Sequence, residues 1–507
     1  MQAKDWQNLK SGSDVRGTAI EGVEGEHVNL TDEAVEGIVK AFLYRLAEKL
    51  GKTKLTVAVG HDSRLSAKRI SDCTCRAITQ SGCDALFTGL SSTPSMFMLL
   101  QEKTLGADAS IMITASHLPF NKNGLKFFTK EGGLEGKEIS EILSLAAEGR
   151  ALVPAAAGHV QEIDYIDTYA AGLVRIVREK TGKDKPLSGK KIIVDAGNGA
   201  GGFYVDKVLK PLGADTEGSQ FLDPDGRFPN HIPNPENKQA MQSVSERVKE
   251  VKADFGIIFD TDVDRAGAVD AKGEEINRNR LIALISAILL AEKPGVIVTD
   301  SVTSDGLTAF IQKHGGVHRR FKRGYKNVID ESKRLNAEGI YSPLAIETSG
   351  HAALKENYFL DDGAYLVTRI LISLAKLAEK GKDIADLIRD LPEPAEAAEV
   401  RLSFREGADF KTLGNGAIED IKKTAPKTPG LSLAPDNFEG VRIVLDEEHG
   451  DGWALIRMSL HEPIMPINFE SNVRGGCKKI AQLLLCMLEK YDFLMTENLK
   501  NYIAKSF

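Results

Sequence analysis

The segment Ile111–Lys126, which reads IMITASHLPFNKNGLK, decides how the first part of the chain is interpreted. Its apolar and β-branched beginning predicts a short buried strand, which Pro119 and Asn123-Gly124 cannot continue. In open α/β sheets, binding and catalytic residues collect in the loops at the carboxyl ends of strands. We therefore predict that Ser116 lies in such a loop.

Apolar strands that end in polar loops recur along the chain. The early strand of each of three successive units ends at Val59, Val194 or Val298, and helices alternate with the strands. Two stretches rich in Pro and Ala, residues 153–158 and 391–400, predict linkers. We expect an α/β protein of three similar mixed- or parallel-sheet α/β domains and a C-terminal α+β domain, arranged around a central cleft. The predicted domains are residues 1–155, 156–274, 275–391 and 392–507.

Composition excludes several classes of protein. The chain has 507 residues, enough for three to four domains at about 150 residues each. Its formal net charge is −7 and no long basic cluster occurs, which argues against nucleic-acid binding. The apolar run Leu281–Ala291 is far shorter than the ~20 residues of a membrane span. With no apolar signal core at the N-terminus, we predict a soluble, cytoplasmic protein with no membrane partner.

The number of cysteines also fits a cytoplasmic protein. Five cysteines are an odd and sparse set for this length, so a disulfide framework is not expected. The pair Cys73-Thr-Cys75 lacks a second pair of ligands at zinc spacing. We interpret these two residues as buried thiols.

A predicted strand, residues 255–259, leads into Asp260-Thr-Asp262-Val-Asp264-Arg265. Alternate residues of an extended chain point to the same side, so the three carboxylates should converge while Arg265 points elsewhere. Three close carboxylates repel one another unless a cation joins them, and an all-oxygen site suits Mg²⁺. A calcium loop of EF-hand type would need Gly and Glu where Arg265 and Ala271 stand. A solvated acidic turn remains the alternative.

Ser116 alone is ambiguous. A serine at the end of a strand is commonly a turn or capping residue. A Ser-His-Asp hydrolase would need a different context, because Ser116 is not within G-x-S-x-G and the adjacent His117 should point away from it. Later in the chain, Arg457-Met-Ser459-Leu-His461-Glu-Pro offers guanidinium, hydroxyl and imidazole groups suited to a phosphate.

Four segments together resemble the signatures of the α-D-phosphohexomutase family, in its branch of phosphoglucomutase/phosphomannomutase and phosphoglucosamine mutase. In the family's order, they are TASHLPFNKNGLK (the phosphoserine loop), DTDVDR (magnesium), ETSGH (sugar) and RMSLHEP (phosphate). The stretches SDVRG, VDAGNG and FLDDG, which begin at residues 13, 194 and 359, also match. The resemblance extends over essentially the whole chain.

The resemblance implies a role for each matching residue. Ser116 is expected to be the phosphorylated nucleophile, with Lys126 as a candidate general acid/base. Arg16, His117 and His351 would assist at the transfer site. Mg²⁺ would be bound by Asp260, Asp262, Asp264 and the phosphoserine at 116, with Arg265 near the metal. The sugar would be bound by Lys322, Glu347 and Ser349, and the non-reacting phosphate by Arg457, Ser459 and His461.

The implied activity is the interconversion of hexose 1-phosphate and hexose 6-phosphate through a phosphoserine enzyme and a 1,6-bisphosphate intermediate. Phosphoglucomutase/phosphomannomutase activity is the first expectation and phosphoglucosamine mutase activity the alternative. Glucose 1,6-bisphosphate would be the activator that phosphorylates Ser116. Small-molecule sugar phosphates are the expected partners of a monomer or homodimer. A Mg²⁺-dependent sugar phosphatase and a catalytically weak binding paralogue are the alternatives of other classes.

The chain departs from the family pattern at several positions. The family usually has Asn where Leu118 stands, and Gly where Thr261 and Val263 stand. In the phosphate loop, Leu460 and His461 replace a Gly or Asn followed by Thr. A β-branched Val is costly wherever the backbone needs a positive φ, so we expect the backbone of the metal loop to differ from that of the family.

Overall fold

The computed structural model describes residues 3–459 and 462–505. The chain divides into two compact units, the first formed by Met1–Leu281 with Ser349–Asp386 and the second by Ile282–Thr348 with Leu387–Phe507. None of the helices in the described part of the chain has an apolar stretch long enough to span a bilayer.

The first sheet carries the segment that contains Ser116. Its strands are β1 (Lys10–Ser11), β2 (Asp14–Thr18), β3 (Thr56–His61), β4 (Asp84–Leu90), β5 (Ala109–Ile113), β6 (Lys122–Thr129), β7 (Gly132–Gly133) and β8 (Val160–Glu162). The order is β1-β2-β6-β5-β3-β4-β8, with β7 paired to β6. Strands β5, β3, β4 and β8 are parallel, and β2 and β6 are antiparallel to their neighbours, so the sheet is mixed. The predicted strand before Ser116 is β5, and it is buried throughout.

Five helices accompany this sheet: α1 (Ala3–Gln7), α2 (Asp32–Leu50), α3 (Ala67–Gln80), α4 (Thr93–Gln101) and α5 (Gly136–Ala147). Helix α2 shows why the sequence begins and ends a helix where it does. The Thr31 side chain accepts a hydrogen bond from the Ala34 amide, and Gly51 closes the helix at φ 62°. The apolar face of α2 packs on the sheet, with the Phe42 and Phe127 rings 4.7 Å apart.

The second sheet belongs to the same unit. Its strands are β9 (Ile192–Asp195), β10 (Phe255–Phe259), β11 (Ala266–Asp270) and β12 (Glu275–Ile276), in the order β12-β11-β10-β9. Helices α6 (Ile166–Thr181) and α7 (Lys238–Val251) and a π-helical turn at Val205–Leu209 accompany it. Strands β10 and β11 form an antiparallel hairpin. The acidic segment Asp260–Arg265 is therefore the connection of a hairpin.

Helix α8 (Arg278–Glu292) precedes the next group of strands. The second unit contains three parallel strands, β13 (Val296–Thr299), β14 (Val317–Arg320) and β15 (Leu344–Ile346). The order of these strands is β14-β13-β15. Helices α9 (Asp305–Lys313) and α10 (Tyr325–Ala337) connect them. The antiparallel pair β16 (Ala352–Leu354) and β17 (Leu360–Asp361) and helix α11 (Gly363–Ala378) belong to the first unit. Short 3₁₀ helices occupy Lys355–Asn357 and Ile384–Ile388.

The C-terminal part of the second unit is an antiparallel sheet with helices. Its strands are β18 (Glu396–Phe404), β19 (Leu431–Leu433), β20 (Val441–Leu445), β21 (Gly452–Ile456), β22 (Ile464–Ser471) and β23 (Leu494–Met495). The order is β19-β20-β21-β22-β18-β23. The helices are α12 (Phe410–Thr424), α13 (Gly476–Leu488) and α14 (Glu497–Ala504), with a 3₁₀ turn at Ala425–Lys427. Their apolar faces and the sheet form one core.

The segment before the C-terminal sheet differs from its sequence-based expectation. The linker predicted at residues 391–400 is wrong from Glu396 onward, because β18 begins there and pairs with β22 from Glu396↔Ser471. Composition alone suggested a linker, but the burial of β18 alternates along the strand, as in any strand with one covered face. Strand β8 pairs with β4 although it lies beyond residue 155. The four predicted domain boundaries stay predictions.

We predict that Gly124→Ala destabilises the first unit. Gly124 lies on β6 opposite Arg16 of β2, and a Cβ at residue 124 would lie 2.2 Å from the Val15 carbonyl oxygen and 2.9 Å from that of Thr114. Main-chain atoms cannot rotate away, so the two strands must move apart. We expect a loss of about 1–3 kcal/mol in the free energy of unfolding, measured by chemical denaturation.

Gly133→Ala is the matched control, because Gly133 lies in β7, which pairs with β6. A Cβ at Gly133 would come no closer than 3.5 Å to the Phe128 ring. Its free energy of unfolding should stay within about 0.5 kcal/mol of that of the wild type. Equal stabilities of the two variants would contradict the predicted close approach at Gly124.

Candidate active site

Ser116 lies directly after β5 and meets the β10–β11 hairpin. The Ser116 hydroxyl donates a hydrogen bond to Asp260 Oδ2 at 3.0 Å and accepts one from Arg265 Nη2 at 3.1 Å. Ser116 is 3% exposed and has a φ of 51°, in the left-handed region. A non-glycine residue in this region is strained, and such residues concentrate at functional sites. The hydroxyl is therefore held in one place between an anion and a cation.

His117 does not point away from Ser116, as the sequence suggested. Its Nδ1 lies 3.4 Å from Ser116 Oγ and accepts a hydrogen bond from Arg265 Nη2. The positive φ of Ser116 breaks the alternation of side chains on which that expectation depended. Burial, together with the charges of Arg265 and Arg16, lowers the pKa of His117 to about 3. His117 is therefore neutral at physiological pH and acts as a hydrogen-bond acceptor through Nδ1.

Arg265 was also predicted to point away from the three carboxylates, and this is wrong. Arg265 Nε lies 3.4 Å from Asp260 Oδ2 and 3.9 Å from Asp264 Oδ1. The segment is a tight turn closed by a hydrogen bond from the Asp260 amide to the Arg265 carbonyl, so the rule for extended chains does not apply. Val263 has a φ of 66° and is completely buried, so this β-branched residue adopts the positive φ that is costly for it.

The three carboxylates do converge. One oxygen from each of Asp260, Asp262 and Asp264 lies within 4.8 Å of the other two, and all three residues are buried. Asp262 Oδ1 and Asp264 Oδ1 accept no hydrogen bond from any described residue. Burial and the neighbouring carboxylates raise the pKa of Asp260 well above its usual range. Buried carboxylates with free oxygens fit a hard divalent cation such as Mg²⁺.

Lys126 reaches the same cluster from β6. Its ammonium group lies 2.8 Å from Asp262 Oδ2 and 2.7 Å from Asp264 Oδ2. Burial favours the neutral amine, but the two carboxylates outweigh it and raise the pKa of Lys126 well above its usual range. The antiparallel pairing of β5 with β6 places Lys126 opposite Met112, which explains why a residue ten positions after Ser116 returns to the site.

His351 enters this environment from the segment before β16. Its Nδ1 donates a hydrogen bond to Asp361 Oδ2, and His351 forms an isolated β-bridge with Arg265. Burial lowers the pKa of His351, but the charges of Asp361 and Asp264 reverse the effect and raise it. Asp361 also accepts a hydrogen bond from the Ala352 amide at 2.9 Å. Sequence reasoning noted Asp361 only as part of FLDDG and gave it no role.

Arg16 lies on β2 and donates to Asp14 Oδ2 at 2.9 Å. Its charge is one of the causes that lower the pKa of His117, so it contributes to the same electrostatic environment. Thr93, at the start of α4, donates its hydroxyl hydrogen to Asp262 Oδ2 and was not singled out from the sequence. The signal that could have found Thr93 is its position after β4, a strand parallel to β3 and β5 in the same sheet.

The remaining predicted residues lie elsewhere. Glu347 follows β15 and accepts a hydrogen bond from the Gly324 amide at 2.6 Å. Gly324 belongs to the loop between β14 and α10 that also contains Lys322. The Thr348 hydroxyl donates to Asp300 Oδ2 at 2.7 Å, so it is directed into the protein. Ser349 is 7% exposed and belongs to the first unit.

The predicted phosphate residues follow β21 in the second unit. Arg457 is 9% exposed, and its Nε finds no hydrogen-bond partner within residues 3–459 and 462–505. Burial lowers the pKa of Arg457, and the charge of Glu439 opposes this change. Ser459 Oγ accepts a hydrogen bond from the Glu462 amide at 3.3 Å. His461 lies outside the described residues.

The structure brings one set of predicted residues together in the first unit. This set comprises Arg16, Ser116, His117, Lys126, Asp260, Asp262, Asp264, Arg265 and His351. The residues in the second unit are Lys322, Glu347, Arg457 and Ser459. The role of each residue stays a prediction.

Known proteins and family models match this chain over most of its length. Three segments match the Phosphoglucomutase/phosphomannomutase family: α/β/α domain I over residues 7–151, domain II over residues 164–273 and domain III over residues 277–395. A phosphoglucomutase of Neisseria meningitidis is 30% identical over 472 residues, which cover 93% of this chain and 95% of the relative. A phosphomannomutase/phosphoglucomutase of Pseudomonas putida is 28% identical over 448 residues, 88% of this chain and 90% of the relative.

A solved structure is also similar. The crystal structure of a phosphoglucomutase/phosphomannomutase family protein from Burkholderia thailandensis superposes with a TM-score of 0.78 at 27% identity. The match covers 96% of this chain and 98% of the Burkholderia chain. These matches confirm the predicted fold class of three α/β domains with mixed sheets and a further sheet domain.

The enzyme class expected from the sequence, an isomerase of the phosphosugar mutase type, is confirmed at the level of the family. The chain belongs to the phosphoglucomutase/phosphomannomutase family, the α-D-phosphohexomutases.

Proposed function

We propose that the protein interconverts hexose 1-phosphate and hexose 6-phosphate through a phosphorylated Ser116 and a 1,6-bisphosphate intermediate, with glucose and mannose phosphates as substrates. One observation carries the assignment of the nucleophile. The Ser116 hydroxyl is buried and held between the Asp260 carboxylate and the Arg265 guanidinium, next to a cluster of three carboxylates. A capping or turn serine needs no such surroundings.

The cations around Ser116 suit a phosphoryl carrier. A phosphoserine adds a charge of about −1.5 to −2 at neutral pH, and phosphoryl transfer depends mainly on positioning and charge neutralisation. Arg265 has one N–H group on Ser116 Oγ and would bind the oxygens of the attached phosphate. Lys126 is protonated at neutral pH, so we assign it the proton that Ser116 Oγ takes up as the phosphoryl group leaves for the free sugar hydroxyl, whose own proton passes to solvent. When the other phosphate returns to Ser116, the Lys126 amine takes the hydroxyl proton and the released sugar oxygen is protonated from solvent.

Asp260, Asp262 and Asp264 would hold Mg²⁺ together with an oxygen of the phosphoserine. When bound, the ion would supply positive charge that offsets the charge of the transferred group. Lys126 already contacts two of the three carboxylates and keeps them oriented before any ion binds.

The other predicted residues would bind the rest of the substrate. We assign the sugar hydroxyl groups to Glu347 and Ser349, with Lys322 nearby in the loop after β14. Arg457, Ser459 and His461 would bind the phosphate that does not react. Arg457 supports this assignment because its buried Nε is available for an anion. We further propose a cytoplasmic monomer or homodimer that glucose 1,6-bisphosphate activates.

A substrate panel tests the proposed function. Purified protein with Mg²⁺ and a trace of glucose 1,6-bisphosphate should convert glucose 1-phosphate or mannose 1-phosphate to the 6-phosphate in a coupled assay. Glucosamine 6-phosphate is assayed beside them, and preference for it would favour phosphoglucosamine mutase. Release of free phosphate would point to the phosphatase. No conversion of any hexose phosphate, with no phosphate on Ser116 by mass spectrometry, would leave only the binding paralogue.

Ser116→Ala should abolish the reaction. Removal of a nucleophile lowers kcat on the order of 10⁶-fold, which is below the detection limit of the coupled assay. The matched control is Ser110→Ala on β5, the strand that leads to Ser116, since Ser110 is completely buried and its hydroxyl donates to the Met96 carbonyl at 2.7 Å. The control should lose about 1 kcal/mol of stability and keep its activity. An active Ser116→Ala variant would disprove the assignment of the nucleophile.

Asp262→Asn should weaken Mg²⁺ binding, measured directly by isothermal titration calorimetry and independently of turnover. The substitution removes one negative charge from the cluster, and hard divalent cations prefer carboxylates. We expect the affinity for Mg²⁺ to fall at least about 10-fold. Substitution of residues that only support metal ligands already lowers metal affinity by about that factor.

Asp270→Asn, on the same hairpin, is the matched control. The Asp270 carboxylate accepts hydrogen bonds from the Lys272 and Glu274 amides at 2.9 Å, which an Asn side-chain oxygen can also accept. Its Mg²⁺ affinity should equal that of the wild type. The metal assignment fails if Asp262→Asn binds Mg²⁺ as tightly as this control.

A further inference from the structure

The loop that carries Ser116 is wrapped around a single buried guanidinium. Arg64 is 2% exposed and lies in the loop after β3. Its Nη1 donates to the Pro119 carbonyl at 2.8 Å and to the Lys122 carbonyl at 2.9 Å. Its Nη2 donates to the Leu118 carbonyl at 2.6 Å and to the Ser116 carbonyl. One side chain thus binds four main-chain oxygens between Ser116 and Lys122, the first residue of β6.

Asp62 holds the other side of Ser116. The Ser116 amide donates to Thr114 Oγ1 at 2.9 Å, and the Thr114 hydroxyl donates to Asp62 Oδ2 at 2.6 Å. Asp62 Oδ1 accepts a hydrogen bond from the Arg64 amide at 2.9 Å. Both main-chain polar groups of Ser116 are therefore fixed by the segment that contains Asp62 and Arg64. The amide is fixed through Thr114, and the carbonyl is fixed directly.

Burying the Arg64–Asp62 ion pair carries a desolvation cost, so a contribution to stability alone does not explain its presence. Arg64 and Asp62 are both completely or almost completely buried, with Arg64 Nε 3.4 Å from Asp62 Oδ2. Burial lowers the pKa of Arg64 and raises that of Asp62 to about 6, although each charge partly offsets the shift of the other. Removing two charges from water often costs as much as their attraction returns, so a buried ion pair is weak evidence for stability.

The backbone of Ser116 supplies the reason. Its φ of 51° lies in the left-handed region, which a non-glycine residue keeps only when the surrounding structure imposes it. The bonds to its amide and its carbonyl impose that conformation. The same conformation directs Oγ to Asp260 and Arg265.

We propose that Arg64, with Asp62 and Thr114, is a positioning residue for phosphoryl transfer: it holds the backbone of Ser116 so that Oγ faces the transfer site. The inference rests on the proposed function, in which Ser116 carries the phosphoryl group. Arg64 touches neither Oγ nor the three clustered aspartates among its described contacts, so it acts through the loop. Its role is distinct from those of Lys126 and Arg265.

Arg64→Lys is the first test. Lysine keeps the charge but has no planar fork, so it cannot reach four carbonyls. A displacement of the nucleophile of about 1 Å lowers the transfer rate on the order of 100-fold. We expect this loss in kcat and in kcat/KM together, with an unchanged dissociation constant for glucose 6-phosphate. The rate is measured in a single turnover, from enzyme labelled with ³²P on Ser116 to glucose 1-phosphate.

Arg69→Lys is the matched control. Arg69 lies in α3, and it also donates to main-chain carbonyls, those of Ala19 at 2.9 Å and Leu30 at 3.1 Å, and pairs with Asp32. Among the described residues it makes no bond to the loop of Ser116. Arg69→Lys should lower the melting temperature and leave the single-turnover rate at the wild-type value. A purely structural role for Arg64 would give both variants the same kinetics.

Thr114 keeps the proposal testable if Arg64→Lys fails to fold. Thr114→Val retains the shape of a buried side chain but removes the hydroxyl between Ser116 and Asp62, whereas Thr114→Ser retains the hydroxyl. We expect Thr114→Val to slow the single turnover and Thr114→Ser to restore it.

The outcomes separate this inference from the proposed function. If wild-type enzyme transfers phosphate but Arg64→Lys matches Arg69→Lys, or Thr114→Val matches Thr114→Ser, the positioning role is overturned and the mutase function stands. If wild-type enzyme shows neither labelled phosphoserine nor transfer, the proposed function is overturned and the positioning role falls with it.

Discussion

Repulsion among three buried carboxylates is the constraint on which the first unit depends. Asp260, Asp262 and Asp264 occupy one hairpin turn, where water cannot screen their charges. With all three carboxylates ionised, the two cations that contact this cluster, Lys126 and Arg265, leave one negative charge in excess. A divalent cation and a phosphoserine would add nearly equal and opposite charges. The local charge would therefore be almost the same with the cation and the phosphoserine as without them. The turn then need not rearrange when the two are added.

Strand pairing groups these charges within each sheet. Lys126 lies beside the Ser116 loop because β6 runs antiparallel to β5, and Asp260 and Arg265 share one turn because β10 and β11 form a hairpin. The turns that follow β3 and β5 meet because these strands are parallel neighbours, so Arg64 can bind the loop of Ser116. The contacts of Ser116 and Lys126 with the aspartates and Arg265 join the loop edge of the first sheet to a hairpin turn of the second.

This geometry also explains what the sequence could and could not predict. Strands β5 and β10 and the loops after them were predictable because short apolar runs ended at polar residues. The directions of His117 and Arg265 were not predictable from alternation, because Ser116 and Val263 have positive φ values of 51° and 66°. Arg64 was missed because its bonds go to main-chain carbonyls that are distant in sequence, and such bonds leave no local pattern.

Leu118 in the Ser116 loop and Val263 in the hairpin turn depart from the family pattern, and the structure accommodates them in different ways. At Leu118 the loop uses the main-chain carbonyl, which accepts a hydrogen bond from Arg64 at 2.6 Å, and any side chain provides that group. Val263 adopts the positive φ that costs a β-branched residue about 1–3 kcal/mol. Its side chain is completely buried, and burial of an apolar side chain of this kind stabilises the fold by about 1.5–3 kcal/mol. The two effects are similar in size, so the turn tolerates valine at a position where the family usually has glycine.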